Sequence, residues 1–117
     1  MIDLDNLTND AKYLLSSLYK EYVLRRKNDQ TKAQSVKFID VEEIHKNYMS
    51  EWKIEDVEYT CAELKKNDFI SGRYLSNKLQ YITLTTYAIS QLEETFSDKV
   101  NNILTFMEKI KNAIPFI

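Results

Sequence analysis

An α+β domain with more helix than sheet is what this sequence predicts, on three observations. The chain has 117 residues of which 44% are hydrophobic and 29% charged, enough to bury one small core. One glycine and one proline leave few tight turns, so long amphipathic stretches should dominate. Between Val57 and Ala88, in VEYTCAELKKNDFISGRYLSNKLQYITLTTYA, the apolar period changes from helical to alternating without a proline. A helix joined directly to a hairpin satisfies that change.

The first helix follows from Leu7, Ala11, Leu14, Leu15, Leu18 and Tyr22, which recur at three- and four-residue steps and make one face core. Thr8 or Asn9 serves as its N-cap, with Asp10 near the positive helix end. The polar run NDQTKAQS, Asn28 to Ser35, has no periodicity and reads as a loop. In VKFID, Val36 and Phe38 share one face of a short strand. Asp40 then caps a second helix, whose inner side carries Val41, Ile44, Tyr48 and Met49. After Trp52 in a short connection, Ile54 opens a third helix that turns Val57, Cys61 and Leu64 inward. FISGRYL, the turn SNK and LQYITLT form an antiparallel hairpin, with Asn77 suited to the left-handed turn conformation.

Helix, short strand, helix, helix and hairpin is the order of a winged helix-turn-helix domain, with the hairpin as the wing. The whole chain, 1–117, is then one domain, with 36–84 its helix-turn-helix and wing and 85–114 a C-terminal element. The segments AELKKNDFI and YITLTTYAISQLEETF resemble the end of the third helix and the last wing strand of small bacterial and phage YjcQ-type proteins, and more distantly PadR-like regulators. Asp68 stands where that family ends the helix with glycine, and Ala88 where its LT-x-x-G motif has glycine. The PadR resemblance implies a homodimer built through the terminal helix.

Thr85 to Ala113 reads as one long helix. Phe96, Val100, Ile103, Met107, Ile110 and Ile114 follow steps of four and three, a heptad seam that calls for a partner. That partner is either a second copy or the first helix of the same chain. Leu104, Phe106, Phe116 and Ile117 widen the apolar surface and favour the dimer.

Catalysis has little to work with. The lone His45 lies among Glu42, Glu43 and Lys46, with no second histidine for a metal site. Cys61 sits on an inward face, and Gly72 is the only glycine, which excludes a glycine-rich phosphate loop. Neither an enzyme nor a cofactor is expected. The N-terminal MIDLDNLTND lacks the pattern of a signal peptide and no apolar run reaches membrane-spanning length, so a soluble cytoplasmic protein is expected.

Two functional classes remain. As a transcription-regulator-like protein the domain would bind duplex DNA, with Arg73, Lys78 and Tyr74 on the wing, Tyr59, Lys65 and Lys66 on the third helix, and Arg25 and Arg26 on a basic rim. A net charge of -2 and outward Glu55, Glu58 and Glu63 on the same helix oppose a polyanion. The alternative is a winged helix reused to bind another protein, such as an antirepressor or assembly factor. Which class gains depends on whether the cations share one face with the third helix.

Overall fold

The computed structural model describes residues 3–97 and 99–114. They form an α+β fold of six α-helices and one three-stranded antiparallel sheet, preceded by a 3-10 turn at Asp3–Asn6. Helix α1 spans Asn9–Lys27, α2 Lys32–Ser35, β1 Lys37–Asp40, α3 Val41–Tyr48 and α4 Ile54–Lys66. Strands β2 (Ile70–Leu75) and β3 (Lys78–Leu84) make the hairpin, and α5 (Thr86–Phe96) and α6 (Val100–Lys111) follow.

Thr8 caps α1 by accepting the Ala11 amide on Oγ1 at 3.2 Å. The helix is core on more than the one face its periodicity marks. All of Leu14, Leu15, Ser16, Ser17, Leu18 and Tyr19 are buried, in a helix that packs against α4, α5 and α6. The segment expected to be a loop contains α2, which Thr31 and Gln34 start with a reciprocal capping box. Four residues are too few to show a helical period, and the cap was the only sequence signal.

Helices α1 and α4 stop in the same way, at the same tripeptide. In Lys27-Asn28-Asp29 and Lys66-Asn67-Asp68 the aspartate takes a left-handed conformation, with φ of 66° and 65°. The amides that follow close Schellman motifs: Gln30 N–H donates to Arg25 C=O at 3.1 Å, and Phe69 N–H to Leu64 C=O at 2.9 Å. Asp68 thus occupies the backbone state for which glycine is usual. Leu64 and Phe69 are both buried, as the motif's apolar contact requires.

In the sheet β3 is central, in the order β1-β3-β2. Phe38 opposite Ile82 and Ile70 opposite Leu84 face the helices and are buried. The hairpin turns through Ser76 and Asn77, with φ of 52° and 64°, the two left-handed residues of a type I′ turn. A bulge between Ser71 and Arg73 sets Gly72 alone against Tyr81 and Ile82. A Cβ at Gly72 would lie 2.9 Å from Leu79 Cδ1 and 3.0 Å from the Gln80 carbonyl oxygen, so this position holds the chain's only glycine by close approach. Thr85 then joins the hairpin to α5: its hydroxyl donates to the Asp68 carbonyl at 2.6 Å and accepts the Ala88 amide at 3.0 Å.

The expected single helix from Thr85 to Ala113 is two. It breaks at Ser97, whose φ of 58° and ψ of −139° no helix accommodates, and the buried Tyr19 hydroxyl donates to the Ser97 carbonyl at 2.5 Å. The break turns α6 back onto α1. Phe96, Ile103, Met107 and Ile114 are consequently buried, and Val100 and Ile110 partly buried, within one chain. The seam packs against α1, the second of the two partners its spacing allowed, so these side chains are covered within the single chain. Phe106 closes edge-on against Phe96 at 5.2 Å, Leu104 stays exposed, and Phe116 and Ile117 lie outside the described residues.

Ile103→Ala is expected to destabilise the chain by about 2–5 kcal/mol, the range for truncating a fully buried aliphatic side chain. Urea unfolding gives the size of the loss, and sedimentation should show no change in the oligomeric state of folded protein. Asp68→Gly is expected to raise stability by up to about 1 kcal/mol, since glycine removes the left-handed penalty. A lower unfolding midpoint for that variant would contradict the role given to Asp68.

Candidate interaction groove between α4 and the hairpin

The outward face of α4 is built by spacing. Glu55, Glu58, Tyr59 and Ala62 lie three and four residues apart, so they form one stripe while Val57, Cys61 and Leu64 are buried beneath. The opposite wall comes from the hairpin, with Tyr74 on β2 and Lys78 to Gln80 on β3, and Asp40 to Glu42 at the start of α3 close one end. Together they enclose a groove of about 300 Å³. Its small floor is Ala62, and its rims carry two tyrosines that are unusually bare, Tyr59 at 79% and Tyr74 at 55% exposure.

The groove is acidic. Asp40, Glu42, Glu55 and Glu58 line it against a single ammonium, Lys78. Lys78 Nζ is 3.2 Å from Glu42 Oε1, so the one cation is already paired. Asp40 is also occupied, accepting the Glu43 amide at 2.8 Å as the cap of α3. Among the described residues no cationic side chain pairs with Glu55 or Glu58. Lys65 lies at the margin, its Nζ 5.9 Å from the centre of the Tyr74 ring, within reach of a weak cation–π contact.

Of the residues the sequence nominated, Tyr59, Tyr74 and Lys78 meet in this groove, and Lys65 joins them through Tyr74. Lys66 on the last turn of α4 and Arg73 on the edge strand β2 are exposed but do not line it. Arg25 is elsewhere and is not a rim cation. Its guanidinium bridges Glu21 at 2.9 Å, donates to the Lys37 carbonyl at 2.7 Å and to the Tyr48 hydroxyl at 3.2 Å, and stacks 4.5 Å above Phe38. It ties α1 to β1 and α3. Arg26 donates to the Gln30 carbonyl at 3.1 Å and lines a separate hollow with Tyr22 and Glu93.

Glu63 was expected on the outward face and is not there. Its carboxylate accepts both the Thr8 amide at 2.9 Å and the Thr8 hydroxyl at 2.7 Å, binding α4 to the start of α1. The same carboxylate, with Asp56, adds to partial burial in raising the pKa of Asp10. The Tyr48 phenol is raised by burial and by Glu21, with Arg25 opposing.

His45 and Cys61 are both engaged within the fold. His45 Nε2 lies 2.8 Å from the Trp52 carbonyl, and Trp52 stacks on Tyr13 at 6.1 Å, so the imidazole fixes the α3–α4 connection. Cys61 is fully buried, and burial pushes its thiol up to about 12, out of the range where a thiolate forms. No group of metal-ligating side chains is found among the described residues. No helix among them is long and apolar enough to cross a membrane.

Comparison of the chain with protein-family models, with curated proteins and with solved structures returned no match.

Arg25→Ala is expected to lower stability by about 1.5–3 kcal/mol, the scale of losing hydrogen bonds from a charged donor. Arg25→Lys should recover little of it, because an ammonium lacks the planar fork that serves four acceptors, on Glu21, Ser35, Lys37 and Tyr48, and the stack on Phe38. Thermal unfolding of the two variants checks this. Full recovery by lysine would return Arg25 to the class of surface charges.

Proposed function

We propose that the chain is a winged helix-turn-helix domain that works as a protein-interaction module, with the groove between α4 and the hairpin as its contact surface. The element order and the three-stranded sheet with a two-residue hairpin turn support the winged-helix reading, as does the resemblance of AELKKNDFI and YITLTTYAISQLEETF to YjcQ-type proteins. The observation that carries the functional choice is the charge of the groove: four carboxylates against one ammonium that is itself paired with Glu42. On a DNA-reading winged helix this helix face approaches phosphates and base edges. Carboxylates there raise the electrostatic cost of the approach, while exposed aromatic rings suit a protein contact.

A second reading, duplex DNA, retains one favourable observation. Lys66 and Arg73 are exposed, with Lys65 beside Tyr74, and a duplex shifted toward the end of α4 and the edge strand would meet them. Arg25 is engaged within the fold and contributes nothing to that surface.

Fluorescence anisotropy with random duplex DNA, from about 20 to about 200 mM salt, separates the two readings. No saturable binding is expected even at the lowest salt. Saturable binding that weakens with a log–log slope near -3.6, roughly four phosphate contacts at about 0.9 each, would reverse the choice.

A further inference from the structure

We infer that the occupant of the groove is a basic segment of another protein, inserting lysine or arginine side chains between Tyr59 and Tyr74 toward Glu55 and Glu58; this rests on the protein-interaction reading of the same face. Charge complementarity selects the class. Glu55 and Glu58 stand one turn apart on α4, both in the groove and neither paired with a cation among the described residues. Acidic, phosphorylated or nucleic-acid ligands would be repelled at this position, and a purely apolar segment would leave both carboxylates facing it.

The chain's own side chains already show the chemistry. Lys78 places its ammonium 3.2 Å from Glu42 on one side, and Lys65 holds its ammonium 5.9 Å from the Tyr74 ring on the other. Ammonium groups thus settle on both kinds of lining the groove provides, carboxylate and aromatic face. An incoming lysine or arginine would repeat both contacts, its methylene stem along the tyrosine rings and its head at Glu55 and Glu58. The volume, about 300 Å³, is at the lower end of ligand pockets and suits a few inserted side chains of an extended segment better than a folded surface. Tyrosine rims also provide contact area at low conformational cost.

The experiment uses the full chain, isotopically labelled for amide NMR. Three amidated nonapeptides are titrated in low salt: one alternating arginine and lysine with leucine and glycine, one with glutamate in place of the cations, and one with serine. The cationic peptide is expected to bind and to move the amides of Glu55, Glu58, Tyr59 and Tyr74, and the glutamate peptide not to bind. Glu55→Lys with Glu58→Lys should weaken binding by about tenfold or more, and Tyr59→Ser should weaken it with no change in charge. Amide dispersion verifies that each variant is folded.

Unchanged affinity in the charge-reversed variant, shifts centred on Asp10, Asp56 and Glu63 instead of the groove, or spermidine binding as tightly as the peptide would each overturn the inference, as would failure of all three peptides. If the serine peptide binds the groove and the cationic one does not, the interaction reading survives and only the basic partner is lost. Steeply salt-dependent binding of duplex DNA would remove both.

Discussion

Helix α1 is enclosed, and the rest of the structure depends on that enclosure. Six consecutive buried residues from Leu14 to Tyr19 cannot belong to one stripe, since a helical face repeats only every three or four positions. Ser16 and Ser17 are buried among them. α4, α5 and α6 all pack on α1, and α6 can do so only because the chain reverses after Phe96. Tyr19 participates on both sides of this arrangement: its ring packs beside Tyr22 and Phe96 in the core, and its hydroxyl holds the carbonyl of the reversing residue Ser97. Tyrosine is suited to that place because its body is apolar and its tip needs a partner when buried.

The core also sorts the polar side chains. Glu63 is used in fastening α4 to Thr8, and Arg25 in fastening α1 to β1 and α3. Both tasks join separate elements, and both engage a charged group within the fold. What remains on the outer face of α4 is therefore more selective than the sequence suggests: Glu55, Glu58 and Tyr59, with the hairpin opposite. Positioning of the hairpin relies on the joint at Thr85, where one hydroxyl serves as cap to α5 and as donor to the Asp68 carbonyl that ends α4.

Local chemistry made the strand–helix–helix–hairpin order legible. Asp40 is the α3 cap, Asn77 takes the left-handed turn position and Thr85 opens α5, each through a side-chain or backbone preference that acts within four residues. Ser97 escaped because a serine inside a regular apolar spacing announces no break, and the heptad steps run straight across it. Periodicity identified the apolar face of α6 correctly but carried no information on which surface would cover it. Similarly, the sequence shows Arg25 and Arg26 as adjacent cations, yet one is locked among four elements of the fold and the other is exposed. Charge is local, whereas its availability is set by contacts of long range. The Lys-Asn-Asp helix ending is legible at Asp68, which stands where a helix-ending glycine is usual, whereas at Asp29 the same tripeptide merges into the polar run that follows.

Not every carboxylate of the groove has the same cause. Asp40 is required as a cap, and Glu42 and Glu55 lie in the first turns of α3 and α4, where negative charge opposes the positive helix end. This matters more for α4, whose cap residue Lys53 makes no side-chain hydrogen bond to the exposed amides. Glu58 has no such structural task. It lies beyond the first turn, makes no ion pair among the described residues, and faces the groove beside the bare ring of Tyr59. Lysine or arginine there would be equally compatible with the helix by propensity and would suit a polyanion better. Capping and the helix end therefore account for three of the four groove carboxylates, and Glu58 is the one whose place in the groove neither explains.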